Sequence, residues 1–265
     1  MELATPKYSV DALTLKWIAI VTMFIDHTGH VCYKWLGWSD TYLLLRYIGR
    51  TAFPIFVFLL LEGFRYTRNR WAYLRNLFLF ALISEIPFDL ALTGWEKRWT
   101  SQNIFWTLFL GLSGVMAAEL LFRECEKRDI PRPVSLLIAA LPLAAAVCAG
   151  QWISVDYHFW GVLIIALVYC GETAAPYLFG GQATPQLSRN IGAACAVVLW
   201  AILYDVAHEW INEVYGLVSL VLILCYNGER GHYRLSKWFF YGFYPAHLLI
   251  LFLCRDTVFK WLLAG

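Results

Sequence analysis

Charge is what this sequence has least of. Of 265 residues, 15% are Asp, Glu, Lys or Arg, against about a quarter in soluble domains. Hydrophobic residues make up 60% and aromatic residues 17%. That shortage argues against a soluble domain and for a chain embedded in lipid. A net charge of +2 gives no basic surface for a nucleic acid. The seven cysteines (Cys32, Cys125, Cys148, Cys170, Cys195, Cys225, Cys254) have no CxxC spacing and lie mostly in apolar runs. They read as small buried thiols, not as a disulfide framework or a metal site. There is no internal repeat, no low-complexity tract and no linker long enough to set off a soluble unit, so one integral-membrane domain over 1–265 is expected. The first residues, MELATPKYSVDA, lack the charged and apolar regions of a cleaved signal peptide, so they are expected to be retained.

What is present is a series of apolar runs. A membrane-crossing helix needs about 20 mostly apolar residues, and nine stretches are predicted to cross: 13–35, 42–64, 72–92, 103–122, 133–150, 157–179, 190–207, 213–227 and 238–255. The eighth is short enough for a half-span. The expected fold is therefore all-α, a polytopic bundle of about 8–10 spans, with nine the best count. Basic residues cluster in alternate connections: Arg65, Arg68, Arg70 and Arg75; Arg123, Lys127, Arg128 and Arg132; Arg230, Arg234 and Lys237. By the positive-inside rule the N-terminus is cytoplasmic, and Arg255 and Lys260 mildly oppose the outward C-terminus that nine spans imply. The thirteen Trp and fifteen Tyr suit anchoring at the two membrane surfaces.

The first span is the least comfortable in lipid. It carries Lys16, Asp26, His27 and His30, and a Lys or Asp at mid-span costs about 2.5–3.5 kcal/mol, so such groups face a bundle interior or a wet cavity. Lys16 and His27 fall nearly on one line of the helix, offset by about 20° and roughly 16 Å along the axis. Other polar residues sort to the same two levels. Near His27 come Arg46 and Arg50 from the second span, Ser84, Glu85 and Asp89 from the third, and Gln102 and Asn103 from the fourth. Asp156, Tyr157, His158, Asp205, His208 and Glu209 join them from later connections. Near Lys16 come Arg65 to Asn69 and the Asn227-Gly228-Glu229-Arg230-Gly231 turn, a basic and glycine-containing set able to hold phosphates. Tyr244-Pro245-Ala246-His247 lies between the levels, where His247 is either a packing partner or a lining residue.

These residues carry a resemblance. Leu15-Lys16 with Ile25-Asp26-His27, then Arg46 to Phe56 (RYIGRTAFPIF), Leu61 to Phe64, Ser84 to Asp89 (SEIPFD), Gln102-Asn103, Tyr226 to Gly231 and Phe243 to His247 together resemble the TraX family over nearly the whole chain. At Asp156-Tyr157-His158 the chain departs from the small residue expected after the tyrosine. The resemblance implies acetyl transfer, to the N-terminus of pilin in conjugative members, and a relation to the type 3 and heparan-acetylating membrane acyltransferases. In type 3 enzymes a basic residue, ten intervening residues and a histidine occupy the first span, a spacing that Lys16 and His27 match. There the acyl-CoA arrives from the cytoplasm and the acceptor waits on the far side, so a cytoplasmic (inner) membrane is implied.

The chemistry assigns roles. A base must take a proton from the nucleophile, or an imidazole must carry the acyl group, and donors must stabilise the developing oxyanion. His27 is the expected base, oriented by Asp26 or Glu85. Arg50 and Asn103 are the expected polar stabilisers. Lys16 with Arg65 or Arg68, and Asn227 and Arg230 on the turn, are expected to bind the acetyl-CoA phosphates, with His247 beside the path of the pantetheine arm. No metal is expected. The acceptor is a protein, with pilin one option, or a small molecule bearing an amine or hydroxyl. Rival readings are an ion-coupled transporter, a haem protein pairing His27 or His30 with His247, and a non-catalytic factor for pilus or envelope assembly.

Overall fold

The computed structural model describes residues 9–33, 39–179, 183–209, 212–232 and 237–263. The end of the first predicted span at 34–35, Arg234, and parts of the connections at 36–41 and 208–212 lie outside the described residues, as does the start of the chain.

Among the described residues the architecture is all-α: α1 (Ala12–Val31), α2 (Asp40–Gly49), α3 (Ala52–Tyr66), α4 (Arg70–Phe88), α5 (Ile104–Lys127), α6 (Arg132–Trp152), α7 (His158–Leu178), α8 (Pro185–His208), α9 (Val218–Leu224) and α10 (Lys237–Leu263). Among the described residues, seven helices are long and apolar enough to cross a membrane, α2 and α3 counting together as Asp40–Tyr66. α1 has the length, 20 residues, or about 30 Å, but carries the polar residues that sequence places on it. The predicted eighth span is a short apolar segment, Glu213–Leu224, opening as a 3-10 turn over Glu213–Leu217. The nine predicted spans thus correspond in order to these segments.

Capping side chains fix several of the helix starts. Ser39, Asn69 and Thr184 accept from the amides of Tyr42, Ala72 and Leu187, satisfying donors that the first helical turn leaves open. Thr184 and Pro185 start α8 five residues before the predicted boundary at 190, because hydropathy alone does not register a cap. The second predicted span is broken at Arg50–Thr51. Pro54 has no N–H to offer the Arg50 carbonyl, and Gly216 approaches that carbonyl so closely that a Cβ there would lie 2.8 Å from the oxygen. Pro87 likewise offers no N–H to the preceding turn, but α4 runs through it to Phe88 and continues as a π turn over Asp89–Thr93.

α3 is the central post. Every residue from Ala52 to Leu61 except Phe56 is buried, as expected of a helix apolar on all sides. It packs against α1, α5, α7 and α9, and α1 also packs against α2 and α10. Small residues let α7 and α8 touch through their backbones: a side chain at Gly171 or Gly192 would collide with the other's carbonyl. Such contacts matter in lipid, where apolar burial gives helices no net reason to associate. α6 lies at the edge, its Leu136, Leu137 and Leu141 exposed as lipid-facing residues would be.

Candidate functional site

Asp11 caps α1, accepting from the Thr14 amide at 2.7 Å, and the 225–231 turn is laid against the helix start. Val10 N–H donates to the Cys225 carbonyl and Ala12 N–H to that of Glu229, both at 2.9 Å. Gly231 has φ +76°, and a Cβ on it would fall 2.6 Å from Asp11 Oδ2, so this corner accepts only glycine. The turn thereby brings Arg230 and His232 beside Lys16 at one end of a cavity of about 1010 Å³. Arg68 and Asn69, after α3, line the same end. Asp26, His27, Asp156 and Tyr157 line the other, and the wall between is mostly apolar and aromatic, with Met23, Phe56, Leu60, Leu108 and Tyr241. Lys16 and His27 thus face one cavity from one helix.

At the His27 end the charges are paired. Arg46 Nη1 meets Asp26 Oδ2 at 2.6 Å and Arg50 Nη2 meets Asp26 Oδ1 at 3.5 Å. Arg50 Nη1 also donates to the Tyr157 hydroxyl at 2.6 Å and to Glu213 Oε1 at 2.8 Å. Glu213 reaches this point because the Asp205 carboxylate accepts from the amides of Glu213 and Val214 and so caps the short segment. Asp26 leaves no room at Gly49, where a Cβ would overlap its carboxylate. Tyr157, at φ +60°, lays its ring on Phe53 with centroids 4.7 Å apart.

Asp156, in the connection between α6 and α7, has its carboxyl pushed up to about 6 by burial. An acid with a raised folded-state value stabilises the fold below its unfolded value, near 4, and loses that contribution as pH rises through 6. Asp156→Asn is therefore expected to melt above the wild type at pH 8 and to lose this advantage as the pH falls from 6 toward 4, read by thermal denaturation across that range.

The His27 ring is bonded to another imidazole. Its Nδ1 lies 2.7 Å from His247 Nε2, the rings nearly parallel with centroids 5.0 Å apart. His247 Nδ1 lies 2.8 Å from the Phe243 carbonyl. Neither Asp26 nor Glu85 orients His27, because each is held elsewhere. Nor does His247 line the cavity between its two ends; it stands behind His27. The two ring nitrogens face one another directly, closer than a metal holding each at about 2 Å would place them. His30 borders a separate, smaller cavity with Leu92 and Thr93.

Other predicted residues turn out to be held in structural contacts. Glu85 accepts from the Trp106 indole at 3.0 Å and from the Asn103 amide. Asn103 also donates to the Ala81 carbonyl and caps α5 through the Phe105 amide. The pair ties the start of α5 to α4 away from the cavity, through Glu85 Oε2 alone, its Oε1 being buried without a partner. Arg65 is clamped between Glu62 and Glu172, the latter at 2.8 Å, and does not face the cavity. Asn227 accepts from the Glu229 amide at 2.9 Å, shaping the turn instead of lining the wall. Lys16, Arg68, Arg230, Asp26 and His27 are the predicted residues that line the cavity, with Arg50 one bond behind Tyr157. Sequence reasoning placed Tyr157 and Asp156 at the level of His27 without giving them a role, and passed over Glu213 and Glu172. The cost of an ionisable residue inside an apolar run is the signal that marks the two glutamates.

The family described as TraX protein matches residues 11–255. The chain is 28% identical over 263 residues to the "Probable fimbrial assembly protein FimC, serogroup H1" of Dichelobacter nodosus, covering 94% of this chain and 96% of that protein. No solved structure matches. A family match running from the cap of α1 to near the end of α10, on a chain with seven long apolar helices, leaves one conclusion: this multi-pass membrane protein belongs to the TraX family.

Proposed function

We propose that this cavity moves an acetyl group from acetyl-CoA to an amine or hydroxyl acceptor. The observation that carries the reading is the sharing of one cavity by the cationic end at Lys16, Arg68 and Arg230 and the imidazole of His27. The cations hold the donor's phosphates, and the apolar wall takes the pantetheine arm. His27 removes the proton from the acceptor nucleophile as it attacks the thioester carbonyl. The C–S bond breaks, and the departing thiolate takes that proton back from the imidazolium, leaving CoA thiol and the acetylated acceptor. The Tyr157 hydroxyl accepts from Arg50, so its own proton is free to point into the cavity and meet the developing oxyanion. Arg50 then acts through Tyr157.

The acidic and imidazole-bearing end faces outward in this reading and the cationic end faces the cytoplasm, an orientation that the positive-inside rule gives the basic connections after α3, α5 and α9 in a cytoplasmic (inner) membrane. In conjugative members of the family the acceptor is the N-terminus of pilin, and the relative's name speaks of fimbrial assembly, so a pilin-type N-terminus is the first acceptor to try. That name also favours a second reading, a non-catalytic assembly factor.

Acetyl-CoA separates the two. Purified wild-type protein is expected to be stabilised by acetyl-CoA, by about 2.7 kcal/mol at a hundredfold excess over Kd, and Lys16→Gln/Arg230→Gln protein much less. No rise in melting temperature at millimolar acetyl-CoA would count against the transferase and leave the assembly factor or a transporter.

A further inference from the structure

We infer that His247 is a positioning residue that sets the tautomer of His27, holding the lone pair of His27 Nε2 toward the cavity. This rests on the reading of His27 as the base.

The assignment follows from what each atom can do. A backbone carbonyl only accepts, so the nitrogen 2.8 Å from the Phe243 carbonyl, His247 Nδ1, must carry a hydrogen. A neutral imidazole protonated there has its lone pair on Nε2. That lone pair is 2.7 Å from His27 Nδ1, which must then be the donor. The hydrogen bonds run in one direction, from His27 Nδ1–H to His247 Nε2 and from His247 Nδ1–H to the carbonyl. The remaining nitrogen of His27 is left unprotonated on the ring edge away from His247. His27 lines the cavity and His247 does not, so that edge is the one the cavity receives.

The arrangement is held firmly. His247 is 2% exposed and sits between the parallel rings of His27 and Phe243, the latter with its centroid at 4.9 Å. Tyr244 meets both imidazoles edge-on. The carbonyl that anchors the relay lies one turn earlier on α10, so the backbone of that helix, and no carboxylate, fixes the orientation. When His27 takes the acceptor's proton on Nε2, its Nδ1–H bond to His247 is kept. The imidazolium forms and discharges without the ring turning. Asp26, which sequence alone offered for this duty, is bound to Arg46 and Arg50.

Two variants and one spectroscopic reading test this in the full-length protein in detergent or nanodiscs. His247→Phe removes the acceptor. It is expected to lower kcat for acetyl transfer by about 100-fold or more, with KM for acetyl-CoA unchanged. His247→Gln, whose side-chain oxygen can accept from His27 Nδ1–H, is expected to recover to within about tenfold of wild type. Stabilisation by acetyl-CoA identifies variants that remain folded. Nitrogen-15 histidine spectra are expected to show His27 protonated at Nδ1 in the wild type and in His247→Gln, and at Nε2 in His247→Phe. Wild-type turnover in His247→Phe, or Nε2 protonation of His27 in the unmodified protein, overturns the inference. If His27→Ala is inactive while His247→Phe is fully active, His27 stays as the base and His247 loses its role. If His27→Ala retains turnover, the base assignment fails, and the spectra alone decide whether the hydrogen bond exists.

Discussion

Arg50→Met is expected to destabilise the purified protein by about 3–5 kcal/mol, the cost of removing one partner from a buried ionic cluster. Arg50 is 5% exposed and Glu213 1%, and the guanidinium touches Glu213, Asp26 and Tyr157 from three different parts of the chain. Methionine fills similar space but leaves Glu213 without the cation that balances it, and Glu213 Oε2 already has no hydrogen-bond partner. Arg46 still pairs Asp26, so the damage falls on the Glu213 segment and on Tyr157. Arg50→Lys is expected to lie between, since an ammonium keeps the charge without the fork that reaches several acceptors at once. Thermal or denaturant melts of the three proteins measure this; equal stability of Arg50→Met and wild type would mean that the cluster is not closed.

How much of this was legible beforehand follows from what a sequence can encode locally. The order of the helices was readable, because hydropathy and charge vary along the chain on the scale of a bilayer. So was the placing of Lys16 and His27 on one face, because helical periodicity is a local property. The partners of buried polar groups were not. Glu85 and Asn103 carry the same insertion cost whether they cap a helix or catalyse, and only tertiary contact distinguishes the two. Arg65 had the position of a phosphate ligand, but Glu172, 107 residues away, takes its charge. His27 and His247 are 220 residues apart, and nothing local in either segment specifies that α10 lies against α1 at that height. Likewise the shortness of the Glu213–Leu224 segment was readable, while its task of carrying a carboxylate to Arg50 was not.

His27→Ala is expected to lose acetyl transfer by at least about 100-fold, the lower range for removal of a general base, while insertion, folding and stabilisation by acetyl-CoA persist. The separation is expected because His27 stands about 16 Å along α1 from Lys16, so the donor's phosphates are held by groups the substitution does not touch. The ring is also outside the Arg50 cluster, and its loss takes a hydrogen bond from His247 and an edge contact from Tyr244. A variant that failed to fold would lose the acetyl-CoA response as well, which makes the two failures easy to tell apart.

The most direct measurement incubates purified wild-type and His27→Ala protein with radiolabelled acetyl-CoA and fractionated envelope material, then follows where the label goes and whether it is amide- or ester-linked. The account predicts acceptor-linked label with the wild type, and with His27→Ala almost none despite undiminished acetyl-CoA binding. Equal labelling by the two proteins, or none with the wild type while it binds acetyl-CoA, would contradict it.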